Sequence, residues 1–262
     1  MRSGNVAVPS GELAVGSGPV GAALAGEIDA VGIVIPAHDE AELLPASLAA
    51  LDVAMHHLPP HVRRLAVVVL DACSDASPRI AASWCDGAPE WTVVTISARN
   101  VGQARAAGMQ HLLHAFAGIG LSRVWLATTD ADSTVRPSWL TEQLRLAASG
   151  ADSVAGTIEL DDWREYPSGF GDQFRQFYAE QGSPDDHGHV HGANLGVRAD
   201  AYLAVGGFRP LATGEDLALW RALRTASRPQ ISSRHIPVTT SARRATRVPA
   251  GLGGFLSILA RP

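Results

Sequence analysis

The chain has 262 residues, 46% of them hydrophobic and 18% charged, with a formal net charge of −5; this suits one large α/β domain or two small ones and argues against a nonspecific nucleic-acid binder. All 21 basic residues are Arg, which removes every chemistry that needs a lysine, from the Walker-type phosphate loop to Schiff bases, and leaves phosphate to Arg, backbone N–H groups or metal. No run reaches the ~18 apolar residues of a membrane helix, the start of the chain lacks a signal-peptide pattern, and Cys73 and Cys85 make no disulfide framework, so the expected compartment is the cytoplasm.

In chain order, residues 1–29 are rich in Gly, Ala, Ser and Val and read as a tail, with a short strand near Leu13-Ala14-Val15. Val31 to Ile35 is a buried strand that runs into Pro36-Ala37-His38-Asp39-Glu40, and Asp39 suits the cap of a helix carrying Leu43, Leu44, Leu48 and Leu51. Leu65 to Leu70 is a second strand, ending at Asp71-Ala72-Cys73-Ser74-Asp75; Ser77-Pro78 opens a helix with Ile80 and Trp84 inward. Trp91 to Ile96 is a third strand, and Ala98 to Arg105 leads into a long helix through Met109, Leu112, Leu113 and Phe116. Val124 to Thr128 is a fourth strand, followed by Asp130-Ala131-Asp132 and a helix after Pro137 with Leu140, Leu144 and Leu146. Strands alternating with helices imply right-handed crossovers and a mostly parallel central sheet with helices on both faces.

After Gly150 the pattern changes. The order predicted is a strand over 153–160, an aromatic helix over 163–178, a polar loop over 183–191, a strand over 193–197, a helix over 199–205, a helix starting at Glu215, and a strand over 231–240. There is no repeat and no linker. The chain therefore reads as one domain, 30–245, with a first lobe at 30–150 and a second at 151–245, between tails at 1–29 and 246–262.

The chemistry starts at Asp130 and Asp132, one residue apart at a strand tip. Two ionised carboxylates this close repel in a dry site, and a divalent cation such as Mg²⁺ or Mn²⁺ removes the conflict; an ordinary acidic turn is the alternative. Glu40 and Asp71 also follow strand ends, and strand ends of a parallel sheet converge on one crevice. Each has a plainer alternative: Glu40 can support a helix N-terminus and Asp71 a turn. His187, His189 and His191 alternate as metal ligands would in an extended segment, but Gly188 and Pro184 mark a loop, which disfavours zinc.

Six motifs stand in order between residues 31 and 216: Pro36 to Glu40, Asp71 to Asp75, Gly102 to Arg105, Asp130-Ala131-Asp132, Gly206-Gly207-Phe208, and Glu215-Asp216. Together they resemble a family 2 glycosyltransferase of the GT-A fold, a single Rossmann-type α/β domain. The stretch His191 to Arg198, with Thr240 to Arg244, resembles a little-characterised bacterial subgroup. The resemblance implies a UDP- or GDP-sugar donor, a divalent metal (Mn²⁺ or Mg²⁺), and transfer to a hydroxyl of a small molecule, lipid or glycan. It implies that the first lobe, 30–150, holds the nucleotide sugar and the second, 151–245, the acceptor. It implies donor binding by Pro36, His38, Glu40, Asp71, Arg105 and Asp130, with Arg243 and Arg244 closing over the diphosphate. By the same analogy Asp130 and Asp132 bind the metal, Asp216 is the base of an inverting reaction, Glu215 positions the acceptor or backbone, and His191, Gly192 and Asn194 line the acceptor side.

Two departures matter. The second motif has Ala72 where the family commonly has another Asp, which leaves the nucleotide open, and His235 is the candidate for the late His ligand of some metal-dependent relatives. Two rivals share the residues: an inactive sugar-nucleotide-binding scaffold, and a haloacid-dehalogenase-like phosphatase with Asp130 as nucleophile. The phosphatase pattern opens at the first core strand and needs a lysine.

Overall fold

The strands are apolar on both faces because helices cover both sides of the sheet. The computed structural model describes residues 27–161, 163–180 and 188–243. Its elements are β1 (Ala30–Ala37), α1 (Leu44–His56), β2 (Arg63–Asp71), α2 (Ser77–Cys85), β3 (Trp91–Ile96), α3 (Val101–Ala115) and β4 (Val124–Thr128). Then follow β5 (Ser133–Val135), α4 (Trp139–Ala148), β6 (Ser153–Leu160), α5 (Phe170–Glu180), β7 (Leu195–Arg198), α6 (Ala199–Ala204), α7 (Glu215–Thr225) and β8 (Gln230–Thr240). The expected strand at Leu13, the tail at 246–262, His187 and Arg244 lie outside the described residues, as does the N-terminal tail up to residue 26.

The sheet order is β3-β2-β1-β4-β7-β6-β8-β5. β1 pairs in parallel with β2 and β4, and β2 with β3. Beyond β4 the sheet is mixed: β7 runs antiparallel to β4 and β6, β8 parallel to β6, and β5 antiparallel to β8. Side chains alternate between two cores, as the period of a strand requires. Val31, Ile33, Val68, Trp125 and Ala127 pack with Leu44, Leu48, Leu51, Trp139 and Leu140 on the α1 and α4 side. Val34, Val67, Val69 and Leu126 pack with Met109, Leu112, Leu219, Trp220 and Leu223 on the α3 and α7 side. α3 lies tight on this second face at Gly108, where a Cβ would meet Val34 at 2.5 Å and Val69 at 3.0 Å. That seating, with the Asn100 side chain accepting from Gln103 N at 2.9 Å, aims the start of α3 at the strand ends.

Three expectations need correcting. Asp39 does not cap the first helix; α1 is preceded by Leu43, which makes no side-chain cap, and Asp39 accepts instead from the N–H groups of Ser74 and Asp75 at 2.6 and 3.1 Å. The aromatic helix begins at Phe170 rather than Trp163, because Pro167 biases Tyr166 away from helical backbone and Trp163, Tyr166, Phe170 and Phe174 form a ring cluster. β5 was not expected. It has three residues and no period of its own, yet its pairing of Ser133 with Thr240 brings the end of β8 to the acidic pair. Ala242, the residue before Arg243, then packs into the ring cluster.

Candidate active site

Three residues with left-handed backbone, Asp39 (φ 53°), Ala72 (φ 52°) and Arg99 (φ 49°), follow the ends of β1, β2 and β3. Such conformations cost roughly 1–2 kcal/mol for a non-glycine residue, so neighbours must hold them. The Ser74 N–H is the main cause that keeps the Asp39 carboxyl below the usual range. Asp71, buried at the end of β2, accepts from the N–H groups of Ala98 (2.7 Å), Arg99 (2.8 Å) and Asn100 (2.7 Å). Its carboxylate therefore shapes the β3–α3 loop instead of facing the crevice, where the sequence placed it. The carbonyl of Asp71 accepts from His38 Nδ1 at 2.6 Å; a carbonyl cannot donate, so Nδ1 carries the proton. Pro36, in β1, and His38, just beyond it, are partly exposed at this edge.

The acidic pair follows β4, and each carboxylate faces its own arginine. Asp130 pairs with Arg105. Asp132 accepts from Arg243 Nη2 at 3.0 Å, and Arg243 also forks onto Glu40 at 2.8 and 2.5 Å. Thr240 Oγ1 lies 3.3 Å from Asp132 and accepts from Ser133 at 2.8 Å. Burial pushes the Asp132 carboxyl up to about 6, with Asp130 adding to the effect and Arg243 opposing it. Asp130 is raised too, by burial that Arg105 only partly offsets. Their side chains keep 35% and 20% of their surface, so solvent ions can reach them. Two reachable carboxylates that resist carrying charge side by side form the hard-oxygen donor set that suits a divalent cation.

Arg105 does not face the crevice. It is 2% exposed; one end of its guanidinium bonds Asp130 and the other Glu215, while Nε donates to Thr128 Oγ1 at 3.1 Å. Glu215 is buried beneath it, raised above the usual carboxylate range by desolvation that Arg105 does not cancel, and so does not reach an acceptor. Gly192 lies against the guanidinium; a Cβ there would collide with it. The Gly192 N–H donates to Asp216 Oδ2 at 2.7 Å, and the Leu217 N–H to Oδ1 at 2.7 Å. Asp216 thus stands, partly exposed, at the start of α7 beside the acidic pair's arginine.

Asn194 is not an acceptor contact. It is fully buried, accepts from Trp139 Nε1 at 2.8 Å and donates to the carbonyls of Thr157 (2.8 Å) and Ile236 (2.6 Å). His191 is partly exposed and bonds Tyr178 Oη through Nε2 at 2.9 Å. Tyr178 also accepts from Ile158 N at 3.2 Å, stacks on His189 with centroids 3.8 Å apart, and lines a cleft of about 420 Å³. Sequence reading missed it, although Phe174 and Tyr178, four apart, signal one helix face. His235 is exposed and stands five strand residues before Thr240, about 16 Å at ~3.3 Å per residue; it does not join the acidic pair. Among the described residues Asp39, Cys73 and Asp75 also cluster, but the carboxylates there serve backbone N–H groups.

The family model for glycosyl transferase family 2 matches residues 32–206. A comparison with curated proteins finds no match. Among solved structures the chain is similar to a mannosyltransferase from Pyrobaculum calidifontis in complex with GDP-Man and Mn²⁺ (TM-score 0.60, 18% identity, 82% of this chain and 57% of that one). It is also similar to S. aureus TarS 1-349 in complex with UDP (0.58, 14%, 82% and 61%), and to GalNAc-T7 with UDP, GalNAc and Mn²⁺ (0.59, 13%, 82% and 44%). The chain spans 44 to 61% of the length of these three. At these identities the likeness shows a shared fold. Among the described residues no helix is long and apolar enough to cross a membrane.

Proposed function

The chain belongs to glycosyl transferase family 2, and on that premise we propose that it transfers a sugar from a nucleoside-diphosphate sugar to a hydroxyl acceptor, with inversion. The observation that carries this reading is the convergence of Glu40, Asp130, Asp132, Arg243 and Asp216 on one edge of the sheet. Similar structures hold UDP, or GDP-Man with Mn²⁺, which supports a UDP- or GDP-linked donor. Asp130 and Asp132 would hold Mn²⁺ or Mg²⁺, and a divalent cation bound there offsets the charge that develops on the departing diphosphate. Arg243, partly exposed and forked onto two carboxylates, is the arginine able to turn to phosphate oxygens. His38 and Pro36 border the nucleotide side.

Asp216 takes the acceptor's proton. Gly192 and Leu217 N–H groups orient its two oxygens, and each oxygen keeps a lone pair. As the acceptor oxygen bonds to the anomeric carbon, the bond to the phosphate oxygen breaks, the electron pair leaves with the nucleoside diphosphate, and the proton passes to the carboxylate. His191 borders the acceptor, held by Tyr178. The second lobe, 151–245, which carries Asp216 and His191, would hold the acceptor. An inactive sugar-nucleotide-binding module would need the acidic pair but would have no use for a base at Asp216. The phosphatase reading requires a nucleophile free to attack, whereas Asp130 follows the fourth strand and is tied to Arg105. A panel of UDP- and GDP-sugars with Mn²⁺, assayed for nucleoside diphosphate release with and without hydroxyl acceptors, tests the reading. Metal-dependent release is expected; no release from any donor, with phosphate monoesters hydrolysed instead, would contradict it.

A further inference from the structure

We propose that Arg105 is a positioning residue: its buried guanidinium ties the metal-side carboxylate Asp130 to the helix that carries Asp216, and so fixes leaving group and base relative to each other. The inference rests on the glycosyl-transfer reading. It replaces the diphosphate contact expected of Arg105 with a role inside the protein.

Arg105 sits on α3 and bonds three partners on two other segments: Thr128 and Asp130 around the end of β4, and Glu215 at the start of α7. A planar fork can join two carboxylates at a set separation, which a lysine's point charge cannot. Gly192 presses on the guanidinium and holds Asp216 by its N–H, so the chain of contacts closes on itself. A second tie runs alongside: Gly102 N donates to Leu211 O at 3.1 Å and Asn100 Nδ2 to Pro210 O at 3.3 Å, anchoring the approach to α7 on the start of α3. Arg105 is 2% exposed; a diphosphate reaches it only by displacing Asp130 or Glu215.

The test compares Arg105→Gln, Arg105→Lys and Glu215→Gln with the unaltered chain. It measures UDP and GDP affinity in chelator, Mn²⁺ affinity with nucleotide present, kcat, KM and Tm. Arg105→Gln should leave nucleotide affinity in chelator within about twofold, weaken Mn²⁺ by about tenfold and lower kcat by about 100-fold. Arg105→Lys should recover part of each loss. Glu215→Gln should show the same split, and the double variant should be no worse than Arg105→Gln, because both act through one contact. Should Arg105→Gln fail to fold, the near-isosteric Glu215→Gln carries the same split. Loss of nucleotide affinity in chelator by tenfold or more would overturn the proposal in favour of direct phosphate contact. Multiplying effects, or a lowered Tm with unchanged kcat and Mn²⁺ affinity, would overturn it as well. If the unaltered chain binds neither nucleotide nor Mn²⁺, the functional reading itself fails and this role with it; if it binds both and the variants match it, only this role fails.

Discussion

The two carboxylates of the acidic pair are neutralised in two different ways. At the floor of the site, Asp130 meets Arg105, whose side chain is 3% exposed and whose second carboxylate, Glu215, is 5% exposed. At the mouth, Asp132 meets Arg243, 27% exposed and carried by the segment just beyond β8. Losing its partners would leave the Arg105 guanidinium an uncompensated buried charge, which is strongly unfavourable, whereas the partly exposed Arg243 guanidinium can be resolvated by water. The floor is therefore built to stay and the mouth to exchange. A cation arriving at Asp132 can take the place of a guanidinium at modest cost, and Arg243 is then free for the anion that comes with it. On the proposed metal-binding reading, the acidic pair would combine a fixed ligand with one that binding can release.

The contrast can be broken in three places. The largest effect is expected beside the floor, at Asp216→Asn, which should bind nucleotide and Mn²⁺ as before yet lose transfer by ~10²–10⁴-fold. Retained transfer, measured with an identified acceptor, would remove Asp216 from the chemistry and point to retention. The next effect is at the mouth. Arg243→Ala should tighten Mn²⁺ binding measured without nucleotide by about tenfold, the worth of one charge-assisted hydrogen bond, while weakening nucleoside diphosphate binding. If Mn²⁺ affinity is unchanged, Arg243 does not compete for the site. The smallest concerns pH. A carboxyl raised to about 6 in the fold favours the folded state below its unfolded pKa of ~3.9, and that contribution is lost as pH rises through 6. Metal-free protein should lose stability from this group between about pH 4 and 6. Asp132→Asn, which mimics the neutral form, should be more stable than the unaltered chain at pH 8 and no different from it at pH 4. A thermal melt showing the variant less stable at pH 8 would mean that the Arg243 pair outweighs the burial of charge.

Much of this was legible in the sequence. Strands covered on both faces leave unbroken apolar runs, so Val31 to Ile35 and Leu65 to Leu70 announced themselves, and the carboxylates after them fell on one edge because parallel strands end together. What the sequence hid was which groups the protein uses on itself. Asp71 looks like a free carboxylate until the Ala98–Asn100 backbone is seen folded onto it. Asn194 gives no hint that three partners surround it, since Trp139, Thr157 and Ile236 come from distant parts of the chain. Arg105 was readable in part: with Met109 and Leu112 at i+4 and i+7 it lies on the buried stripe of α3, which argued for a buried partner before any phosphate. β5 is three residues long and exists through its pairing with β8, a contact between segments about a hundred residues apart that no local pattern encodes.

The most direct measurement is calorimetry of Mn²⁺ and UDP or GDP binding to the unaltered chain and to Asp132→Asn. Two carboxylates and water make a weak site alone, so Mn²⁺ and nucleoside diphosphate should each bind far more tightly in the presence of the other, and the Asp132→Asn variant should lose that mutual gain. Nucleotide binding of equal strength in chelator and in Mn²⁺, or an Asp132→Asn variant that binds both as well as the unaltered chain, would contradict the assignment of the acidic pair as the metal and donor site.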